Sequence, residues 1–112
     1  MLHCGWRGLA EGLVARGAAE VGATAAAIGP GIGSCCYEVG SEVLERFAGL
    51  GDGVADGRML DLEEVAARLL DRAGVGRVDR AGLCTSCERE LFYSHRRDAG
   101  VTGRQAGMAW LS

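Results

Sequence analysis

The run Gly29-Pro30-Gly31-Ile32-Gly33 constrains this chain more than any other stretch. Three glycines and the only proline among 112 residues fall within five positions. Proline removes an amide donor and glycine carries the highest backbone entropy, so neither helix nor strand continues through such a run. Whatever flanks it must form separate elements joined by a turn. Residues 24–28 form a short apolar stretch that reads as a buried strand. Residues 37–47 read as a helix, with Val39, Val43, Leu44 and Phe47 on one face.

The same periodicity extends the reading to both sides. Residues 1–4 read as a strand end leading through Gly5-Trp6-Arg7-Gly8 into a helix that carries Leu9, Leu13 and Val14, with Ala10, Gly17 and Ala18 as small contacts. Residues 49–57 read as a loop. Asp61 followed by Glu64 resembles a capping box, and Leu62, Val65, Ala66, Leu69 and Leu70 give the next helix its apolar face until Gly74. Residues 77–83 suit a strand that runs into the Cys84-Thr85-Ser86-Cys87 turn. A short helical piece at 88–92, a turn at 100–103 and a final strand at 105–111 complete the order. The expectation is one α/β domain over residues 1–112, a mixed sheet with helices. Because the chain starts at a strand end, its sheet is expected to be incomplete at the N-terminus and to leave an edge open to a second copy or a partner chain.

Charge and hydropathy narrow the function classes. All 12 basic residues are arginine against 15 acidic ones, for a net charge of −3, which gives no broad electrostatic footprint for nucleic acid or an anionic membrane. No stretch approaches the roughly 20 uninterrupted apolar residues of a membrane helix, and no signal peptide opens the chain. A cytoplasmic location with reduced thiols is the expectation for the five cysteines, Cys4, Cys35, Cys36, Cys84 and Cys87.

Four features carry candidate chemistry. Cys84 and Cys87 have the spacing of half a zinc site, yet no second such pair follows; Cys35-Cys36 reads as too tight to complete it, and ligand counting favours packed thiols. The loop at 29–33, between a strand and a helix, offers the amides of Gly29, Gly31 and Gly33 to an anion, with a plain tight connection as the alternative. His3 is one of two histidines, and a lone histidine near a strand end is more often a hydrogen-bonded residue than a ligand. Arg7 follows in a glycine-flanked turn, where a guanidinium can hold a phosphate or carboxylate through two bonds. His95-Arg96-Arg97-Asp98 is either a braced charged turn or, if Arg97 converges with Arg7, part of an anion site.

Several segments in order resemble the multicopper polyphenol oxidase, or laccase-domain, family, which includes YfiH-like proteins and the peptidoglycan editing factor. They are His3-Cys4-Gly5-Trp6-Arg7-Gly8, Ala27-Ile28-Gly29-Pro30-Gly31-Ile32-Gly33-Ser34-Cys35-Cys36-Tyr37-Glu38-Val39, Gly82-Leu83-Cys84-Thr85, and Leu91-Phe92-Tyr93-Ser94-His95-Arg96-Arg97-Asp98 with Thr102-Gly103-Arg104. The resemblance implies an α-β sandwich that binds zinc or copper through two histidines and a cysteine. His3 would be the last of these ligands, and the other two are expected from segments preceding this chain. It further implies a purine nucleoside phosphorylase or adenosine deaminase-like enzyme, in older usage a polyphenol oxidase, acting on a purine nucleoside and phosphate. On that reading His3 and Arg7 are catalytic, and Arg7, Gly29, Gly31, Gly33 and Arg97 bind substrate. Cys4, Gly31 and Ser34 depart from the family's common alanine, cysteine and proline. The alternatives are a catalytically silent chain acting by pairing its sheet edge, and a small structural zinc module built on Cys84, Cys87 and a further thiol or His95.

Overall fold

The computed structural model describes residues 2, 4–88, 90, 91 and 94. The expected strand at 105–111, the turn at 100–103 and His3 lie outside the described residues, and the helical piece at 88–92 does so in part. Leu2 and Cys4 are not in a strand.

The first helical pattern is correct in place and wrong in continuity. It forms two helices, α1 (Trp6–Ala10) and α2 (Leu13–Val21), with Gly12 between them at φ +87°. A residue with a Cβ rarely adopts that conformation, so the glycine lets the chain turn where the apolar spacing alone predicts no break. Leu9 and Val14 still reach the same core from the two pieces. Strand β1 (Ala25–Ile28) follows where the sequence places it but is not buried: its residues alternate between exposed and half-buried.

Beyond the glycine run the expected helix at 37–47 shrinks to α3 (Ser41–Arg46), followed by one 3-10 turn at Ala48–Leu50. Tyr37–Val39 are extended instead: Glu38 bridges Met59, the Leu60 amide donates to the Tyr37 carbonyl (2.9 Å), and the Val39 amide donates to that of Arg58 (2.9 Å). Their partner is a hairpin, β2 (Ala55–Asp56) and β3 (Met59–Leu60), turning at Gly57-Arg58 inside and beyond the stretch expected to be a loop. Tertiary pairing thus takes Tyr37 and Val39 out of helix while leaving both buried.

Helix α4 (Leu62–Arg72) begins where the capping signal places it. Asp61 Oδ1 accepts from the Glu64 amide at 3.1 Å. Glu64 does not complete the box, because its carboxylate is taken by Arg68 (3.0 Å) and Arg80 (2.9 Å). Val65 on α4 and Leu60 on β3 are both 0% exposed and centre a core that includes Leu9, Val14, Tyr37, Val39, Val43, Phe47 and Val54.

The chain then returns as β4 (Arg77–Arg80), which pairs in parallel with β1 in the register Ala25↔Arg77 to Ile28↔Arg80. The observed architecture is α/β, with two two-stranded sheets among the described residues. Past its regular end, the β1–β4 pairing continues: the Ala81 amide donates to the Ile28 carbonyl (3.0 Å), Gly31 bridges Cys84, and the Thr85 amide donates to the Gly31 carbonyl (2.9 Å). Two loops therefore leave the carboxyl ends of adjacent parallel strands side by side, the position where open α/β sheets commonly bind ligands.

Candidate functional site

At that end of the sheet the structure assembles four thiols. The sulfur atoms of Cys35, Cys36, Cys84 and Cys87 all lie within 4.8 Å of one another. Cys87 Sγ stands 3.3 Å from Cys35 Sγ and 3.4 Å from Cys36 Sγ. This corrects the expectation that adjacent Cys35 and Cys36 are too tight to complete a site with Cys84 and Cys87. The turn made when the Cys36 amide donates to the Gly33 carbonyl (3.0 Å) presents both sulfurs to the same partner. No spacing rule in the sequence joins residues 35 and 36 to 84 and 87; the parallel β1–β4 pairing does so.

Backbone amides converge on one of these sulfurs. The Gly33 amide donates to Cys84 Sγ at 3.1 Å, and the Cys87 amide does so at 3.5 Å. Burial pushes the Cys84 thiol up, but the amides of Gly33, Cys87 and Ser86 and the Cys35 side chain outweigh it and bring the group down to about 6. Cys87 shifts the opposite way, raised by its hydrogen bonds with Cys35, Cys36 and Cys84. The cluster thus has one thiolate-prone member and one strongly thiol-like member. Gly33 is needed for this approach, since a Cβ there would meet Cys84 Cβ at 3.1 Å and both Cys35 Sγ and Cys84 Sγ at 3.4 Å. Cys35 and Cys87 are exposed while Cys36 and Cys84 are half-buried, so the site opens to solvent.

The other candidates separate from this cluster. Arg7 lies in the first turn of α1, exposed, with its guanidinium carbon 5.3 Å from the centre of the Trp6 ring. Among the described residues it makes no ion pair. The loop at 29–33 does not lead into a helix N-terminus, because α3 starts only at Ser41. Two of its glycines are already engaged, Gly31 by the bridge to Cys84 and Gly33 by Cys84 Sγ, while Gly29 is exposed. His3, His95 and Arg97 lie outside the described residues. Cys4 packs against the core away from the thiol cluster, and burial raises its thiol above the ordinary value. No helix among the described residues is long and apolar enough to cross a membrane.

The family model for multi-copper polyphenol oxidoreductase laccase matches residues 1–112. A purine nucleoside phosphorylase of Deinococcus radiodurans is 44% identical over 114 residues, covering 91% of this chain and 44% of that protein. The purine nucleoside phosphorylase YfiH of Escherichia coli is 35% identical over 120 residues, covering 97% and 49%. Two crystal structures are similar: a Neisseria meningitidis protein (TM-score 0.77, 36% identity, 90% of this chain and 46% of that one) and YlmD of Geobacillus stearothermophilus (TM-score 0.75, 34%, 90% and 44%). The chain spans about half the length of the curated relatives it matches. With its α/β fold and its ordered motifs, the chain belongs to the multi-copper polyphenol oxidoreductase laccase family, whose YfiH-like relatives it resembles along nearly all of its length.

Proposed function

We propose that this chain contributes to a metal-dependent purine nucleoside phosphorylase, taking a purine nucleoside and phosphate, with Arg7 holding the phosphate and His3 serving as a metal ligand. The observation that carries the reading is the 44% identity to a purine nucleoside phosphorylase across 91% of this chain. The position of Arg7 supports it: the guanidinium is exposed, unpaired among the described residues, and braced by Trp6. A fork of donors in that state suits a phosphate through paired hydrogen bonds. Gly29, Gly31, Gly33 and Arg97 are further candidate contacts for substrate, and Gly29 and Gly31 are exposed.

The family's name implies copper, which the resemblance would place at His3, and His3 and His95 lie outside the described residues. A blue-copper site combines two imidazoles with one thiolate. The described cluster offers four thiols. That cluster is a separate donor set, and at His3 copper is the alternative to zinc. Zinc through His3, a cytoplasmic setting and association with a second copy or partner chain at the sheet edge complete the reading.

The test is phosphate-dependent release of free base from inosine or adenosine by the protein carrying this chain, with deamination of adenosine read in the same assay. Arg7→Ala is expected to raise the KM for phosphate and lower kcat/KM by about 100-fold, on the order of the loss of one strong charge-assisted contact. Base release that ignores phosphate, or that is unchanged by Arg7→Ala, overturns the assignment. The isolated 112 residues are expected to release little or none; turnover comparable with that of a full-length relative, abolished by His3→Ala, contradicts that expectation.

A further inference from the structure

The geometry points to a tetrahedral zinc site formed by Cys35, Cys36, Cys84 and Cys87, which clips the loop after β1 to the turn after β4. A zinc ion with four sulfur ligands at about 2.3 Å places those sulfurs about 3.8 Å apart. The four sulfurs here lie within 4.8 Å of one another, and two of the pairs, at 3.3 and 3.4 Å, sit just inside the tetrahedral spacing. One ion at their centre requires side-chain adjustment only.

The donor chemistry selects the metal class. Four thiolates in a tetrahedral arrangement suit zinc, whereas magnesium and calcium take oxygen ligands. Four protein ligands also leave no open coordination position, so the site holds structure and does not activate a water. Outer contacts fit the same role. The Gly33 and Cys87 amides point at Cys84 Sγ, and such amides stabilise the negative charge that remains on metal-bound thiolates. Gly33 keeps the space beside Cys35 and Cys84 clear of a side chain. Exposure of Cys35 and Cys87 gives an ion a route in.

Formation of the site is an exchange: zinc takes the place of whatever protons the four sulfurs carry, and those protons pass to solvent with no change of oxidation state. This distinguishes it from the other chemistry open to close thiols. Joining Cys35 to Cys87 as a disulfide removes two electrons and two protons and needs an oxidant.

Metal content of protein purified with zinc in the medium, measured by mass spectrometry, decides the matter. About one zinc per chain is expected in the His3→Ala/His95→Ala double variant, which cannot bind metal through either histidine. Failure of the proposed phosphorylase reading therefore leaves this test intact. Cys87→Ser and Cys35→Ser, both at exposed positions, are expected to weaken that zinc by more than about 100-fold, beyond what loss of a supporting contact causes. Cys4→Ser is expected to retain it. Cobalt in place of zinc should give sulfur-to-cobalt charge transfer and the intense visible bands of a tetrahedral ion, a readout on the unsubstituted thiols that does not depend on how a variant folds. The inference is overturned if the histidine variant is metal-free, if Cys35→Ser and Cys87→Ser keep zinc unweakened, if cobalt gives an octahedral spectrum, or if freshly purified protein carries a Cys35–Cys87 disulfide and no metal.

Discussion

Single atoms decide what the residues of this chain can do, and Gly33 shows it most clearly. Its missing side chain lets the loop close on Cys84, and its amide donates to that sulfur at 3.1 Å. Gly33→Ala keeps the amide but places a methyl group at 3.1 Å from Cys84 Cβ. Crowding of this kind costs about 1–3 kcal/mol where the surroundings are packed. The expected outcome is weaker zinc binding in a competition titration with a chelator, together with a lower Tm; an unchanged metal affinity would show that the close approach is dispensable. Glu64 is the second such residue. Hydrogen bonds from Arg68, the larger cause, and from Arg80 hold its carboxyl below the ordinary value. A carboxylate depressed in the folded state contributes stability above its unfolded pKa, near 4.5, and that contribution disappears as pH falls through the lower folded value. Glu64→Gln should therefore lower stability at pH 7 by up to about 1 kcal/mol, as for a part-exposed pair, and flatten its fall between neutral pH and acid. Urea melts across that range check it, and parallel pH profiles for the two proteins would refute it.

Elements were legible from the sequence where local signals agreed and illegible where distant partners intervened. Helix α4 has its cap, its apolar face and its bounds close to where the residues place them, because Asp61 acts within one turn. Replacing that cap with alanine is expected to cost about 1 kcal/mol. Residues 37–39 depart from the expected helix: Val39 and Val43 share helical spacing, yet the extended backbone of Tyr37 and Val39 finds partners at Leu60 and Arg58 that no local pattern announces. The Asp56-Gly57 pair was the available hairpin signal, and it lay inside a stretch read as loop. Leu60 links these elements: it donates its amide to Tyr37, packs at 0% exposure, and immediately precedes the capped start of α4. Leu60→Ala should cost about 2–5 kcal/mol, in the range for emptying a close-packed site. A loss much below that in denaturant unfolding would place the core elsewhere than on β3 and α4.

Across the whole molecule, the same sheet pairing explains both the site and its illegibility in the sequence. Residues 36 and 87 are 51 positions apart, and their sulfurs meet only because β1 and β4 run in parallel and their pairing continues through Gly31 and Cys84. Cysteine spacing showed half of that cluster, since spacing reports neighbours along the chain and not neighbours across a sheet. A metal at this end would cross-link two loops that the amides of Ala81, Thr85 and Gly33 also tie together. The segment leading to Cys84 is also tied to α4, by Arg80 with Glu63 and Glu64 and by the Gly82 amide on Glu63 Oε2 (3.0 Å), while Arg68 holds the carbonyls of Leu50 and Asp52. Those contacts do not involve the thiols. Chelation should therefore act locally. Hydrogen exchange is expected to quicken at Gly33, Ala81 and Thr85 while the amides of α4 and Leu60 keep their protection, since stability within a domain is uneven and loosens in contiguous units. Tm should fall by roughly 10 °C, as about 2 kcal/mol shifts a domain of this size. Uniform loss of protection would mean that the metal sustains the entire core, and unchanged exchange at Ala81 and Thr85 would mean that the β1–β4 ladder holds the two loops without any clip.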